Sequence, residues 1–512
     1  MDGAGGPFGS TAGIMLSLRF RYTPLPRLGL LVLLALTLRP LSSARAEGPA
    51  ASATASTAPV APSSVLDVSA VERARDRLVG VVGKHGGTVG IAVTDLNGQL
   101  LVGHQPDRPL NPASNMKVVT AFAALKRLGP QHRYLTALYG RLGRRMPTLS
   151  LRGDGDPSLE RRHLWEMVER LHRAGLREVG DVIVDQSAFA PPETPPAFDA
   201  QPHEWAAFRA PVSAVALAGN TITIEVRPGL EGQPARVSVV PAGVARLEGR
   251  VKTSPGDKPD AVGLEMKLDG EHLVARVSGT IPTGGRTVRV TRRVDDPRRL
   301  AGAALVAICR QIGIEVTGEV KVGAAAGKLV SAHRSAPLSA LLLPLGKKSN
   351  NFFAETIFKS ISGSEGKTPA SHPRSVALVV ETLDEAGLPL TGVEIRNGSG
   401  LFEGGRLTAR MLAQLLAQAH GDPAVGPELR AQLSIAGVDG TLRARLRRHA
   451  KARAVRAKTG TLAAVSAMSG YATLKGGKTV AFSLLVNDVR GKAVAVRKDL
   501  DAFVDALIRA GR

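Results

Sequence analysis

The pattern at the two ends of this 512-residue chain constrains its fold more than any other feature. Near the start, Val65–Lys84 carries apolar residues at helical spacing, and "TVGIAVTDLNGQLLVGH" then indicates two strands joined by a turn at Asn97-Gly98. Near the end, strand-like runs surround a turn at Lys475–Lys478 and precede the apolar helical stripe of Gly491–Arg512. One antiparallel sheet built from both ends and flanked by helices buries these apolar faces together. The sequence therefore predicts the α+β class.

The middle of the chain, from residue 145 to 325, has a different pattern. Short alternating runs such as "TITIEVRPG" and "HLVARVSGTI" are separated by Gly, Pro and Asp turns, which is typical of a β-rich domain. We therefore predict one domain formed by residues 65–144 and 326–512, interrupted by a large β-rich insertion at 145–325. Helical spacing in the second part predicts helices at Pro337–Leu343, Phe352–Ser362, Pro373–Ala386 and Ala409–His420.

The first 64 residues have the composition of a targeting segment and a linker. Three arginines precede the apolar run Leu28–Leu38, and Ala44-Arg45-Ala46 offers a small-residue cleavage site. Because this run is short for a permanent membrane span, we predict a secretory signal peptide at 1–46, cleaved near Ala46. The alternative is an uncleaved anchor. Residues 47–64 are mainly small residues and proline, which favours a disordered linker.

The cysteine content and the charge narrow the setting further. A single cysteine, Cys309, excludes an intrachain disulfide framework and multi-cysteine metal sites, and its apolar surroundings predict a buried thiol. An exported protein without disulfides suits the bacterial periplasm. The formal net charge of +23 favours anionic surroundings, such as cell-wall polymer or a membrane surface, although plain solubility is the simpler alternative. Nucleic acid is not an expected partner, since no recognition motif is present.

A serine and a lysine stand three residues apart in "RPLNPASNMKVVTAF", where a loop becomes a helix. Ser114 and Lys117 would then lie on one helix face, near the free N–H groups of the helix start. Two interpretations are open: a nucleophile with its base, or a helix-capping serine followed by a solvated lysine. Spacing alone does not decide, because Ser364 and Lys367 repeat it in a polar stretch that we predict to be an exposed loop.

Two further motifs follow in order. Ser349-Asn350-Asn351 precedes an apolar helical segment, and Lys458-Thr459-Gly460-Thr461 falls on a predicted strand. Each alone has an ordinary structural explanation. The ordered set S-x-x-K, S-x-N and K-T-G is typical of penicillin-binding proteins and serine β-lactamases.

With these motifs the chain resembles the penicillin-binding protein 4 type of D-alanyl-D-alanine carboxypeptidase/endopeptidase. The wide interval between the first two motifs and the shorter one between the last two are similar to that group and unlike β-lactamases. The resemblance covers residues 65–512 and includes "LRGDGDPSL", "GDVIVDQSAF", "NGSGL" and "SIAGVDGTLRAR". It implies a DD-peptidase/β-lactamase-like domain that acts on peptidoglycan stem peptides, binds β-lactam inhibitors and needs no metal or other cofactor.

The resemblance also implies the roles of the motif residues. Ser114 would attack the carbonyl of the penultimate D-alanine, while Lys117, as a neutral amine, would take its proton. Ser349 would relay the proton to the leaving amine, and Asn351 would contact Lys117 and the substrate amide. Lys458 would supply the positive charge that keeps Lys117 neutral and attracts the terminal carboxylate.

The K-T-G strand would complete the substrate site. The hydroxyls of Thr459 and Thr461, on either side of Gly460, would bind the terminal carboxylate. The backbone N–H groups of Ser114 and Thr461 would form the oxyanion hole.

Two positions limit what the resemblance implies. Phe402 follows "GSGL" where many relatives have serine, which makes the nearby wall more apolar. Glu204, in "QPHEWAAF", is a candidate for reading a diaminopimelate side chain, and a solvated loop carboxylate is the equally open alternative.

Three functions follow from these patterns. The leading one is a serine D-alanyl-D-alanine carboxypeptidase/endopeptidase. The alternatives are a β-lactamase or esterase on the same apparatus, and a non-catalytic cell-wall-binding protein.

Overall fold

The computed structural model describes residues 66–200, 204–256, 261–269, 272–366 and 369–512. The predicted signal peptide at 1–46 and linker at 47–64 lie outside these ranges. No helix in the described ranges has both the length and the apolar character needed to cross a bilayer. The helices are α1 (Val68–Lys84), α2 (Met116–Leu128), α3 (Arg161–Arg173), α4 (Leu300–Ile312), α5 (Leu338–Lys347), α6 (Asn351–Ser360), α7 (His372–Glu385), α8 (Ala409–Gly421), α9 (Gly426–Gln432) and α10 (Arg497–Arg509).

The strands fall into one group from the chain ends and another from the middle. The first group comprises β1 (Thr88–Thr94), β2 (Leu100–His104), β16 (Glu394–Ile395), β17 (Gly405–Arg406), β18 (Ser434–Ile435), β19 (Val455–Leu462), β20 (Val465–Thr473) and β21 (Thr479–Asn487). The second comprises β3 (Leu135–Gly140), β4 (Arg145–Gly153), β5 (Glu178–Asp185), β6 (Thr221–Arg227), β7 (Arg236–Val240), β8 (Arg246–Gly249), β9 (Lys252–Ser254), β10 (Ala261–Asp269), β11 (His272–Pro282), β12 (Val288–Arg293), β13 (Glu315–Val316), β14 (Val320–Val322) and β15 (Lys328–Arg334).

One antiparallel sheet joins both ends of the chain in the order β18-β19-β20-β21-β1-β2. β1 pairs with β21 along its whole length, from Thr88 opposite Asn487 to Thr94 opposite Ala481. Nearly every residue of β20 and β21 is buried, and because successive side chains point to opposite faces, the sheet is covered on both faces. One face packs against α1 and α10, while the other packs against α8 and the helices around it. The predicted sheet built from both ends is therefore present.

A helical layer lies on the inner face of this sheet. α2 is buried along almost its whole length and is surrounded by α5, α6, α7 and α8. Its apolar residues, from Met116 to Leu125, form the centre of the largest hydrophobic core. Since α2 begins beside Ser114, this packing fixes the position of that serine against the sheet.

The middle of the chain forms a second set of sheets. A mixed sheet runs β13-β5-β4-β3-β15, with β14 also paired to β5, and α3 and α4 pack on it. Two smaller sheets, β12-β6-β7 and β10-β11-β8 with β9, share another core. The mixed sheet starts at Leu135 and ends at Arg334, beyond both limits of the predicted 145–325 insertion, and its two helices are not part of the β-rich prediction. The domain division itself stays a prediction.

Most predicted elements are present with shifted ends. The predicted turns at Asn97-Gly98 and Lys475–Lys478 separate β1 from β2 and β20 from β21. The final helix was predicted too long, since α10 covers Arg497–Arg509 and the residues from Gly491 to Val496 precede it. Cys309 is buried on α4, as predicted.

Candidate active site

Ser114 lies in a tight turn directly before α2. The turn is a short 3₁₀ segment, Ala113–Asn115, and Ala113 has a positive φ of 45°. This strained backbone is held from two sides, because the Asn111 side chain accepts from the Ala113 N–H at 2.9 Å and Gly400 packs against the Ala113 carbonyl. A Cβ on Gly400 would lie 1.9 Å from that oxygen, so only glycine fits. The nucleophile candidate is therefore fixed by contacts from outside its own helix.

Lys117 is fully buried in the first turn of α2. Its Nζ lies 2.9 Å from Ser114 Oγ, 2.8 Å from Asn351 Oδ1 and 2.7 Å from the Ser399 carbonyl. Burial lowers the pKa of Lys117 to about 7, while the charge of Glu355 acts in the opposite direction. The amine is therefore poised to take a proton near neutral pH. Burial and nearby cations were both expected to lower this pKa, and burial is the main cause.

The S-x-N motif bridges a loop and a helix. Ser349 has a positive φ of 54°, and Asn350 caps α6 by accepting from the Phe353 N–H at 3.1 Å. Asn351, the first residue of α6, therefore projects toward Lys117. Its Nδ2 donates to the Phe208 carbonyl at 3.2 Å, so this one amide contacts both the lysine and a loop from the middle of the chain.

The K-T-G motif lies on β19, between β18 and β20. Lys458 is fully buried, and its Nζ donates to Ser349 Oγ at 2.8 Å and to the Thr459 carbonyl at 2.7 Å. Burial, together with the nearby Lys117, holds the pKa of Lys458 well below its usual range. Two neighbouring buried lysines that both carried protons would repel each other, which favours at least one neutral amine at the site.

β19 also runs against the Ser114 turn. A Cβ on Gly460 would come within 3.1 Å of the Ser114 nitrogen, so the missing side chain lets the two backbones approach. Beyond it, Thr461 Oγ1 accepts from the Arg497 guanidinium at 3.0 Å. The end of the strand therefore has a hydroxyl and a cation side by side.

The comparisons with known proteins agree with this geometry. A family model described as the D-Ala-D-Ala carboxypeptidase 3 (S13) family matches residues 83–507. The chain belongs to this family. The predicted family, fold class and serine carboxypeptidase function are confirmed at this level.

Individual relatives of this S13 protein show how far the similarity extends. A D-alanyl-D-alanine carboxypeptidase of Actinomadura sp. (strain R39) is 33% identical over 446 residues, 81% of this chain and 80% of the relative. The D-alanyl-D-alanine carboxypeptidase DacB of Haemophilus influenzae is 26% identical over 420 residues, 78% and 86% of the two chains. Penicillin-binding protein 4 from the same species has a similar fold, with a TM-score of 0.70 at 24% identity over 84% of this chain and 99% of that one.

In this S13 protein, direct hydrogen bonds join the three predicted motifs. Within the described residues, Glu204 is not joined to them. Glu204 is exposed, and its carboxylate accepts from the nearby Ala206 N–H at 2.9 Å. No contact in the described residues joins that carboxylate to the three motifs. A role of Glu204 in reading the substrate stays a prediction.

Phe402 contributes to a wall of the candidate site, and this wall is less apolar than the sequence predicts. Its ring meets Phe198 edge to face, and the Arg209 guanidinium lies 5.6 Å from the ring centre. Its carbonyl accepts from Asn111 Nδ2 at 2.9 Å, which ties the wall to the Ser114 turn. Phe402 therefore contacts a loop from the middle of the chain, with its cation, next to the site.

Several contributors in this S13 protein escaped sequence reasoning. The Ser399 carbonyl and Arg497 contact motif residues from distant parts of the chain, and the charge of Glu355 acts on Lys117. Only "NGSGL", recognised as a familial stretch, pointed to Ser399. The second S-x-x-K does not resemble the first: Ser364 is exposed and donates to the Ile361 carbonyl, and Lys367 lies outside the described residues.

Proposed function

We propose that this S13 carboxypeptidase cleaves the D-alanyl-D-alanine end of peptidoglycan stem peptides through an acyl-enzyme on Ser114. The observation that carries the proposal is the contact of 2.9 Å between Ser114 Oγ and a fully buried Lys117 with a pKa of about 7. An amine with this pKa has a substantial neutral fraction at physiological pH, and the neutral form accepts the hydroxyl proton as the oxygen attacks.

Acylation follows from the same contacts. Ser114 Oγ forms a bond to the carbonyl carbon of the penultimate D-alanine, and its proton passes to Lys117 Nζ. When the tetrahedral intermediate collapses, the carbon–nitrogen bond breaks and the leaving amine takes a proton from the Ser349 hydroxyl, while Lys117 passes the proton from Ser114 to Ser349 and becomes neutral again. Lys458, 2.8 Å from Ser349 Oγ, supports that transfer. Water then attacks the ester, with Lys117 again as the base, and releases the shortened peptide.

The end of β19 binds the terminal carboxylate. Thr459 and Thr461 offer hydroxyls, and the Arg497 cation that donates to Thr461 adds charge at the same place. The Thr459 hydroxyl donates to Thr441 Oγ1 at 2.8 Å and the Thr461 hydroxyl to the Gly460 carbonyl at 2.7 Å, so both hydroxyls rotate when they donate to the substrate carboxylate. The N–H groups of Ser114 and Thr461 are the oxyanion donors of this proposal.

Incubation with purified sacculi tests the activity and distinguishes carboxypeptidase cleavage from endopeptidase cleavage. We expect release of D-alanine and loss of cross-linked muropeptides, both followed by chromatography. In Arg497→Gln the KM for peptides with a free D-alanine carboxylate should rise about tenfold, because one cationic contact is worth roughly 1.5 kcal/mol. Substrates without that carboxylate should be affected less. Wild-type protein that releases neither product would contradict the proposal.

The site of action that we propose is the periplasm, reached with the predicted signal peptide at 1–46. A basic segment shortly before β19 supports contact with anionic wall polymer. Arg443, Arg447, Lys451 and Arg453 are exposed shortly before β19, and none forms an ion pair with a described residue. Because exposed like charges attract a polyanion over several ångströms at low salt, this segment would hold the wall close to the protein.

Replacing these four basic residues by glutamine should weaken binding to sacculi about tenfold at low salt, since exposed charge contacts contribute roughly 0.2–1 kcal/mol each. Binding is measured by co-sedimentation in a Ser114→Ala background, in which the wall is not consumed. The matched control replaces four exposed basic residues far along the chain: Arg236, Arg250, Lys252 and Arg286. Equal loss of binding in both variants would indicate a general effect of net charge and contradict a dedicated basic segment.

A further inference from the structure

Glu355 is a fully buried carboxylate one turn after Asn351 on α6. Its Oε1 accepts from the Ser399 N–H at 2.7 Å and its Oε2 from the Gly398 N–H at 3.1 Å. A carboxylate is costly to bury unless hydrogen bonds compensate for the lost water. Here both compensating donors belong to one short backbone segment, Gly398–Ser399, and that segment has a second set of contacts.

The carbonyls of the same segment accept from α2. The Ser399 carbonyl accepts from Lys117 Nζ at 2.7 Å, and the Gly398 carbonyl accepts from Thr120 Oγ1 at 2.6 Å. The N–H groups of the segment therefore fix it to Glu355, while its carbonyls position the helix that carries the catalytic base. One of the three partners of Lys117 Nζ is thus a backbone oxygen held in place by Glu355.

Few side chains that can carry a charge surround Glu355 and the Gly398–Ser399 segment in the described structure. Glu355 on α6 and Lys458 on β19 both face Lys117, and His372 at the start of α7 lies behind Glu355 with Nε2 3.4 Å from Oε2. His372 is buried, and its Nε2 has no hydrogen bond within the described part of the chain. Lys359, further along α6, donates instead to the Pro192 carbonyl at 3.0 Å.

We propose that Glu355 is a positioning residue for the reaction: it fixes the Gly398–Ser399 backbone so that the Ser399 carbonyl orients the Lys117 amine toward Ser114. This inference rests on the proposed function of Ser114 and Lys117. Glu355 touches neither the substrate nor the attacking oxygen in this arrangement. It acts through one backbone segment on the direction of the base, and misplacing a reacting group by about 1 Å can cost roughly 100-fold in rate.

The charge of Glu355 gives the proposal a second consequence. A nearby carboxylate favours the protonated amine and so raises the pKa of Lys117 against the effect of burial. If the carboxylate becomes a neutral amide, the pKa of Lys117 falls and the amine stays neutral at lower pH. The acid limb of the pH profile should therefore move to lower pH while the plateau rate falls. A residue with a merely structural role would not move the limb in that direction.

The test compares Glu355→Gln and Glu355→Asp by stopped-flow acylation with a fluorescent penicillin between pH 5 and 9. We expect Glu355→Gln to lower the limiting acylation rate about 10- to 100-fold, with little change in the Kd of the precovalent complex, and to move the acid limb downward. Glu355→Asp keeps the charge and should restore the wild-type limb with part of the rate. Glu381→Gln, which removes an exposed carboxylate on α7, is the control.

The outcomes separate this inference from the proposed function. Wild-type protein without acylation would overturn the function of Ser114 itself. An acylating wild type with an unchanged rate and pH profile in Glu355→Gln would overturn only the role of Glu355. If Glu355→Gln does not fold, Thr120→Val decides, because it loosens the same segment without changing charge and should slow acylation several-fold at an unchanged limb. A Thr120→Val rate equal to that of the wild type would then overturn the proposal.

Discussion

Replacing Ser114 by alanine should abolish covalent labelling by fluorescent penicillin and reduce D-alanine release by roughly 10⁶-fold, the order found when another hydrolase loses its nucleophilic serine. Ser114 Oγ is the oxygen next to the buried Lys117, so its removal leaves no group to form the acyl-enzyme. The variant should fold normally, because the turn is held by Asn111 and Gly400 rather than by the hydroxyl. Gel fluorescence and amino-acid analysis provide the two measurements.

Ser364→Ala is the matched control, since Ser364 belongs to the second S-x-x-K and lies at an exposed position. It should label as fast as the wild type. Penicillin labelling that persists in Ser114→Ala would show that the nucleophile had been misassigned. The lifetime of the wild-type acyl-enzyme is informative as well: a long-lived adduct fits a penicillin-binding peptidase, whereas rapid turnover would favour a β-lactamase.

Lys117→Met should lower the acylation rate by about 10³-fold, within the range usual for loss of a general base. Methionine fills a similar volume without an amine that has to be buried, so the variant should be at least as stable as the wild type. In the proposed mechanism the neutral amine of Lys117 is the active form. Since burial lowers its pKa to about 7, the acylation rate should rise as the pH increases through 7 and level off above it.

That acid limb should vanish in Lys117→Met, whose residual rate no longer depends on this amine. Lys359→Met is the appropriate comparison, because Lys359 is also buried and its pKa is lowered to about 8, yet it contacts the Pro192 carbonyl. In Lys359→Met the acid limb of the pH–rate profile should stay near pH 7. A limb that survives in Lys117→Met would assign the titration to another group, and Lys458 would be the first to examine.

The three motifs were predictable because each depends on local chain geometry. Ser114 precedes a strongly apolar helix, Asn350 is a good capping residue, and the K-T-G residues fall on a strand with clear alternation. Each pattern predicts the secondary-structure position from which its side chains project. The ordered set of motifs identified the family. Sequence alone could therefore name the residues that the structure joins at the candidate site before any contact was visible.

The supporting residues were not predictable for the opposite reason. Glu355 stands in "NFFAETIFK" as one charged residue on a helix, and nothing local shows that two distant N–H groups neutralise its burial. Arg497 was expected inside a helix that covers the sheet, whereas it begins α10 and donates to Thr461. Both depend on tertiary packing, which a single sequence does not encode locally. The extent to which burial lowers the pKa of Lys117, to about 7, likewise depends on the folded chain.

The pairing of β1 with β21 has a consequence for the synthesis of the protein. β1 pairs with the edge strand β2 on one side and with β21 on the other. Because β21 is the last strand to be synthesised, this second pairing forms only near the end of synthesis. Until then the Ser114 turn, which hydrogen bonds through Asn111 to Asn487, lacks part of its support. A nascent chain that stops before Thr479 would hold all three motifs without a closed sheet. Because such long-range pairing is slow, hydrolytic activity should appear only as the finished chain folds.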